Sequence, residues 1–110
     1  MNYGFIGAGN MASAIIKGMT VGTGSFEGRD IYVYDLNHAA AQNLSDVCGA
    51  NKCGSASEVV NNADVVVLAV KPNVLPSVLD QIREDLFKKS PLVISIAAGK
   101  TVDFLEQHLS

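Results

Sequence analysis

The stretch GFIGAGNMA, Gly4 to Ala12, sets Gly7, Gly9 and Ala12 at G-x-G-x-x-A spacing directly behind an apolar run. Small residues at that spacing let a chain turn sharply out of a strand and bring backbone N–H groups against a bulky anion. Read as a dinucleotide fingerprint, Gly7 makes the tight turn and Gly9 admits a pyrophosphate where a Cβ would stand in the way. Ala12 replaces the third glycine and is still small enough for a helix to pack on the preceding strand. A helix opening near Asn10 would aim its free N–H groups and the positive end of its dipole at the phosphates. Alone the pattern is weak, because a chain with 10 glycines can produce it by chance. It needs a strand before it, a helix after it and an acid at the end of the next strand.

The surrounding sequence predicts all three. YGFIG (Tyr3–Gly7) reads as a short buried strand, and Asn10–Met19 as a helix with Met11, Ile15 and Met19 on one face and Ala12 and Ile16 beside them. IYVYD (Ile31–Asp35) is β-branched and aromatic, a second strand closed by Asp35. That acid lies about 20 positions beyond Ala12, where the fingerprint wants it. Its carboxylate can accept hydrogen bonds from a ribose diol and repels a 2′-phosphate. Asn37 and His38 follow it, and the next basic residue is Lys52. Charge alone therefore leans the site towards NADH over NADPH.

Further along, HAAAQNLSDVCG reads as a helix stopped by Gly49, with a short third strand at Asn51–Cys53. A short helix follows around Glu58, capped by Ser55 or Ser57. Ala63–Val70 is a near-continuous apolar run, the mark of a central parallel strand. Pro72 is expected to open a helix whose buried stripe is Val74, Leu75, Val78, Leu79, Ile82 and Leu86. PLVISIAAG reads as another buried strand, and Thr101 and Asp103 start a last helix. Such alternation predicts an α/β, Rossmann-like open parallel sheet with helices on both faces. Ligands of such sheets lie outside the carboxyl ends of the strands. The loops AVKPN (Ala69–Asn73) and SIAAGKT (Ser95–Thr101) are therefore candidates to border a nicotinamide. Lys71 reads either as an electrostatic guide or proton donor there, or as an ordinary surface lysine.

The 110 residues suit one domain, 48% hydrophobic and 17% charged. A net charge of −3 leaves no basic surface for nucleic acid, and no apolar run approaches the ~18 residues of a membrane span. The start of the chain has no signal-like segment, so a cytoplasmic location is expected. Cys48 and Cys53, with His38 and His108 the only other soft ligands, lack the spacing of a metal site. They read as reduced structural cysteines, with a reactive thiol as the alternative.

GFIGAGNMASAIIKG, ADVVVLAVKP and LVISIAAGKT, in that order, resemble the cofactor-binding domain of the pyrroline-5-carboxylate reductase family across essentially the whole chain. The resemblance implies reduction of the cyclic imine 1-pyrroline-5-carboxylate to proline by hydride transfer from NADPH or NADH. It places Phe5, Ile6, Gly7, Ala8, Gly9, Asn10 and Met11 at the pyrophosphate loop and Asp35 at the adenosine ribose. Ala69, Val70, Lys71 and Pro72 would lie along the cofactor, with Ala97, Ala98 and Gly99 near nicotinamide and substrate. NADPH-preferring relatives tend to carry Ser or Thr where Asp35 stands. Family members continue well beyond this length, through an MPN-type segment into a helical domain that binds the substrate and makes a homo-oligomer. No MPN occurs here, so residues 1–110 are expected to be the dinucleotide-binding domain alone, inactive by itself in the reaction. A regulatory NAD(H)-sensing module and the cofactor domain of another two-domain dehydrogenase are the competing readings.

Overall fold

The computed structural model of the protein describes residues 1–22 and 26–96. Five strands, β1 (Tyr3–Ile6), β2 (Ile31–Tyr34), β3 (Asn51–Lys52), β4 (Val65–Leu68) and β5 (Leu92–Ser95), form one sheet in the order β3-β2-β1-β4-β5. Every pairing is parallel. The connecting helices are α1 (Asn10–Lys17), α2 (His38–Cys48), α3 (Ala56–Asn62) and α4 (Leu75–Lys89). The order reverses between β1 and β4, the crevice where such sheets take ligands.

Alternation along the strands divides the core in two. Phe5, Val33 and Val67 point to the side covered by α1 and α2, where they meet Ala12, Ile16 and Leu44. Ile6, Val66 and Leu68 point the other way, against Val59, Leu79 and Ile82 of α3 and α4. Residue register then sets the site. Ile6 lies beside both Tyr34 and Leu68, and Leu68 beside Ser95, so four strands finish level at one edge. The loops carrying the glycines, Asp35 and Ala69 all leave from that edge.

Helix ends follow local chemistry. The Asn37 side chain accepts from the N–H groups of Ala39 and Ala40 at 3.2 and 3.4 Å, and Gly49 ends α2 at φ 75°. Ser55, not Ser57, caps α3: its hydroxyl accepts the Glu58 N–H at 3.1 Å, and Glu58 accepts the Gly54 N–H at 3.1 Å. This is a reciprocal arrangement of the capping-box kind.

The period of α1 is helical as expected, and its buried residues are Ala12 and Ile16, while Met11 and Ile15 are 61% and 37% exposed. The small side chain of Ala12 allows close seating on β1, and that sets the phase of the whole helix. Three expectations need correction. The α-helix stops at Lys17, not Met19, continuing as a wider π turn over Gly18–Gly22. Helix α4 begins at Leu75 with Pro76 in its first turn, not at Pro72. The Lys71 carbonyl accepts from the N–H groups of Val74 and Leu75, so a separate turn precedes the helix. Last, β5 is not a buried strand. Among the described residues it pairs with β4 alone, and Leu92 and Ile94 are exposed, while Val93 packs towards α4. The segment expected to form the last helix, from Thr101, lies outside the described residues. Among the described residues no helix is long and apolar enough to cross a membrane.

Candidate functional site

The glycine loop leaves β1 under tight constraint. Gly7 adopts φ +109°, and a Cβ built on it would lie 2.4 Å from the carbonyl oxygen of Ala69. The close approach has a reason: the Ala69 N–H donates to the Ile6 carbonyl at 2.8 Å, and the Gly7 N–H to the Tyr34 carbonyl at 2.8 Å. The loop thus continues the sheet's hydrogen bonding on both sides by one residue. Gly7 is required by the protein itself.

Gly9 is different. Its φ is −74°, and a Cβ on it would meet nothing within 4 Å. No packing demand explains a glycine here; the space in front of it is open. Behind it α1 starts with no side-chain cap, in contrast to α2 and α3. The first N–H groups of α1 therefore face that space with no side chain to satisfy them.

Next to this loop lies a cavity of about 240 Å³ lined by Gly7, Gly9, Asp35, Ala69, Val70 and Lys71, among others. Asp35 is half-buried. Its Oδ2 accepts the Ala8 N–H at 2.6 Å and its Oδ1 the Asn37 N–H at 2.8 Å. The structure thus brings the expected ribose acid to the glycine loop itself. Lys71 is exposed and lines the same cavity as Asp35.

The remaining expected residues fall into groups. Phe5 and Ile6 are buried, and of the two only Ile6 reaches the cavity wall. Ala8 is buried within the loop, whereas Asn10 and Met11 are exposed on the first turn of α1. Pro72 is half-buried and is not among the lining residues. Ala97, Ala98 and Gly99 lie outside the described residues. Sequence reasoning missed Tyr34, Leu36, Val74 and Val78, which complete an apolar wall. Val74 and Val78 read as core because their spacing matches the buried stripe. Leu36 offered a signal: a large apolar side chain, 76% exposed, directly after the strand-end acid.

Neither cysteine lines the cavity. Both are free and buried. Burial, reinforced by the neighbouring Glu58 carboxylate, pushes the Cys53 thiol up to about 12. A raised thiol pKa favours the protonated form, so its contribution to stability is full below the ordinary value of 9.0 and is lost as pH rises towards 12. Cys53 is accordingly expected to resist iodoacetamide at about pH 8 in the folded chain and to react once the chain is unfolded, as mass spectrometry would show. Rapid labelling of the folded protein would contradict this. Among the described residues no group of three or more metal-ligating side chains occurs.

Comparison with known proteins places this geometry. The family described as "NADP oxidoreductase coenzyme F420-dependent" matches residues 2–99. The chain is 42% identical over 106 residues to the pyrroline-5-carboxylate reductase of Escherichia coli (strain K12), covering 96% of this chain and 39% of that protein. Among solved structures, a pyrroline-5-carboxylate reductase from Coxiella burnetii superposes with a TM-score of 0.91 at 33% identity, over 99% of this chain and 40% of that one. The pyrroline carboxylate reductase of Plasmodium falciparum, solved with NADP bound, superposes at 0.83 with 28% identity, over 100% of this chain and 38% of that one. The chain thus spans about two fifths of the length of these relatives. With its parallel sheet, its glycine loop and a match running from residue 2 to residue 99, the chain belongs to the NADP oxidoreductase coenzyme F420-dependent family, and pyrroline-5-carboxylate reductases are its relatives there.

Proposed function

We propose that residues 1–110 form the NAD(P)H-binding part of a pyrroline-5-carboxylate reductase. The observation that carries the reading is Gly9: a glycine whose missing side chain leaves open space in front of an uncapped helix N-terminus. Pyrophosphate would fill that space and accept from the first N–H groups of α1. The adenosine would lie along the cavity, with its ribose at Asp35 and its base against Leu36, Val70, Val74 and Val78. The cofactor supplies the hydride; the chain orients it and holds the charged phosphates. Lys71, which lines the same cavity as Asp35, would act there as an electrostatic guide for the cofactor or as a proton donor. The imine-binding half and the oligomer contacts would belong to the part of the relatives that this chain does not match. Activity is tested by joining this sequence to the remainder of a relative's chain and measuring imine-dependent oxidation of NADH.

Cofactor choice follows from Asp35. Its carboxylate favours a ribose diol, and at ~4 Å from a 2′-phosphate the repulsion amounts to a few kcal/mol at an effective ε of ~20, before solvent screening. The chain is expected to bind NADH more tightly than NADPH. Asp35→Ser is expected to move the ratio of the two dissociation constants towards NADPH by roughly tenfold. A wild-type chain that already prefers NADPH would mean that the carboxylate does not face the 2′ position.

A further inference from the structure

The hydrogen bonds of Asp35 point to a second task that a ribose acceptor does not need. We propose that Asp35 is a positioning residue that latches the glycine loop in its phosphate-receiving shape. The proposal rests on the dinucleotide reading above.

The geometry is specific. Between the end of β1 and the start of α1 only three residues, Gly7, Ala8 and Gly9, set the path of the loop. Gly7 is tied by its N–H to the Tyr34 carbonyl. Ala8 is tied twice: its N–H donates to Asp35 Oδ2 at 2.6 Å, and its carbonyl accepts from the Ser13 hydroxyl at 3.2 Å. The first of these is short and ends on a charged acceptor, the stronger kind of hydrogen bond. Ala8 is 4% exposed and its N–H has the Asp35 carboxylate as acceptor, so removing that side chain takes away the bond that holds the loop there. Meanwhile Oδ1 holds the Asn37 N–H at 2.8 Å, fixing the turn into α2, whose cap is Asn37 itself. One carboxylate therefore joins the β1–α1 loop to the β2–α2 turn.

This task does not compete with ribose binding. A carboxylate offers about four acceptor positions, and each oxygen here has given up one. The remaining pair stays available to a diol. Loop shape and ribose recognition are then coupled through the same side chain, and removing it damages phosphate binding even when no ribose hydroxyl is present to be read.

The test compares wild type, Asp35→Ala and Asp35→Asn, each titrated with NADH and with an NADH analogue carrying 2′,3′-dideoxyadenosine. Asp35→Ala is expected to weaken the dideoxy analogue by about tenfold or more, although that ligand has no adenosine-ribose hydroxyl for an acid to hold. Amide hydrogen exchange at Ala8 should accelerate by a similar factor, while exchange in β4 stays unchanged and reports an intact fold. Asp35→Asn can accept only one of the two N–H groups and presents its NH₂ to the other, so it should lose protection at Ala8 or at Asn37 but not at both. Wild-type affinity of Asp35→Ala for the dideoxy analogue would overturn the latch, whatever NADH itself shows. Failure of the wild-type chain to bind NADH at all would instead remove the dinucleotide reading beneath it.

Discussion

Gly9→Val is expected to leave the chain folded and to weaken NADH binding by roughly a hundredfold or more. The first half follows from space and conformation. A Cβ at position 9 meets nothing within 4 Å, and a φ of −74° suits any residue. The second half follows from where the side chain would go. It would stand in front of the first turn of α1, where the N–H groups have no side-chain cap. Hydrogen bonds to a charged group are worth about 1.5–3 kcal/mol each, so holding the pyrophosphate off two of them accounts for the expected factor. Calorimetric titration with NADH beside a urea unfolding curve measures both halves. A folded variant with unchanged affinity would remove the phosphate cradle from the account.

Gly7→Ala is expected to do the reverse, acting on the fold before it acts on the ligand. The backbone there sits at φ +109°, a region that L side chains rarely adopt, and the added Cβ would approach the Ala69 carbonyl oxygen to 2.4 Å. Neither group can retreat easily, because Ala69 is bonded to Ile6 and Gly7 to Tyr34. Strained backbone costs about 1–3 kcal/mol and overpacking about as much again, so a loss of about 3 kcal/mol is expected. In a domain of this size that is a large share of the total stability. The urea midpoint measures it; an unchanged midpoint would mean that the loop can take another path. The two glycines of one motif are thus separable, one demanded by the sheet and one by the ligand.

Much of this was legible in the sequence because the signals were local. Strand cores such as Val65–Leu68 follow from apolar runs, the cap at Asn37 and the stop at Gly49 from side-chain chemistry, and the edge position of Asp35 from its place behind β2. What escaped depended on packing between elements. The buried side of α1 turned on the seat of Ala12 against the sheet, which period alone cannot phase. Pro72 and Pro76 both fit the opening of a helix, and the separate turn closed by the Lys71 carbonyl selected the second. The apolar content of β5 suggested burial on both faces, yet a strand paired on one side exposes Leu92 and Ile94. In the cavity, Val74 and Val78 carry no chemical mark that separates a ligand wall from core. The bond from Ala8 to Asp35 spans 27 positions and arises only when the two strand ends finish level.

A dinucleotide site formed by the loop after β1 and the acid after β2 is visible in the backbone amide resonances of the purified chain during titration with NADH. Saturable, one-site shifts are expected, concentrated at Gly9, Asn10, Met11 and Ala12 and at Asp35 to Asn37, and lost in Gly9→Val while the rest of the spectrum is retained. Shifts that never saturate, or that persist unchanged in Gly9→Val, would contradict it.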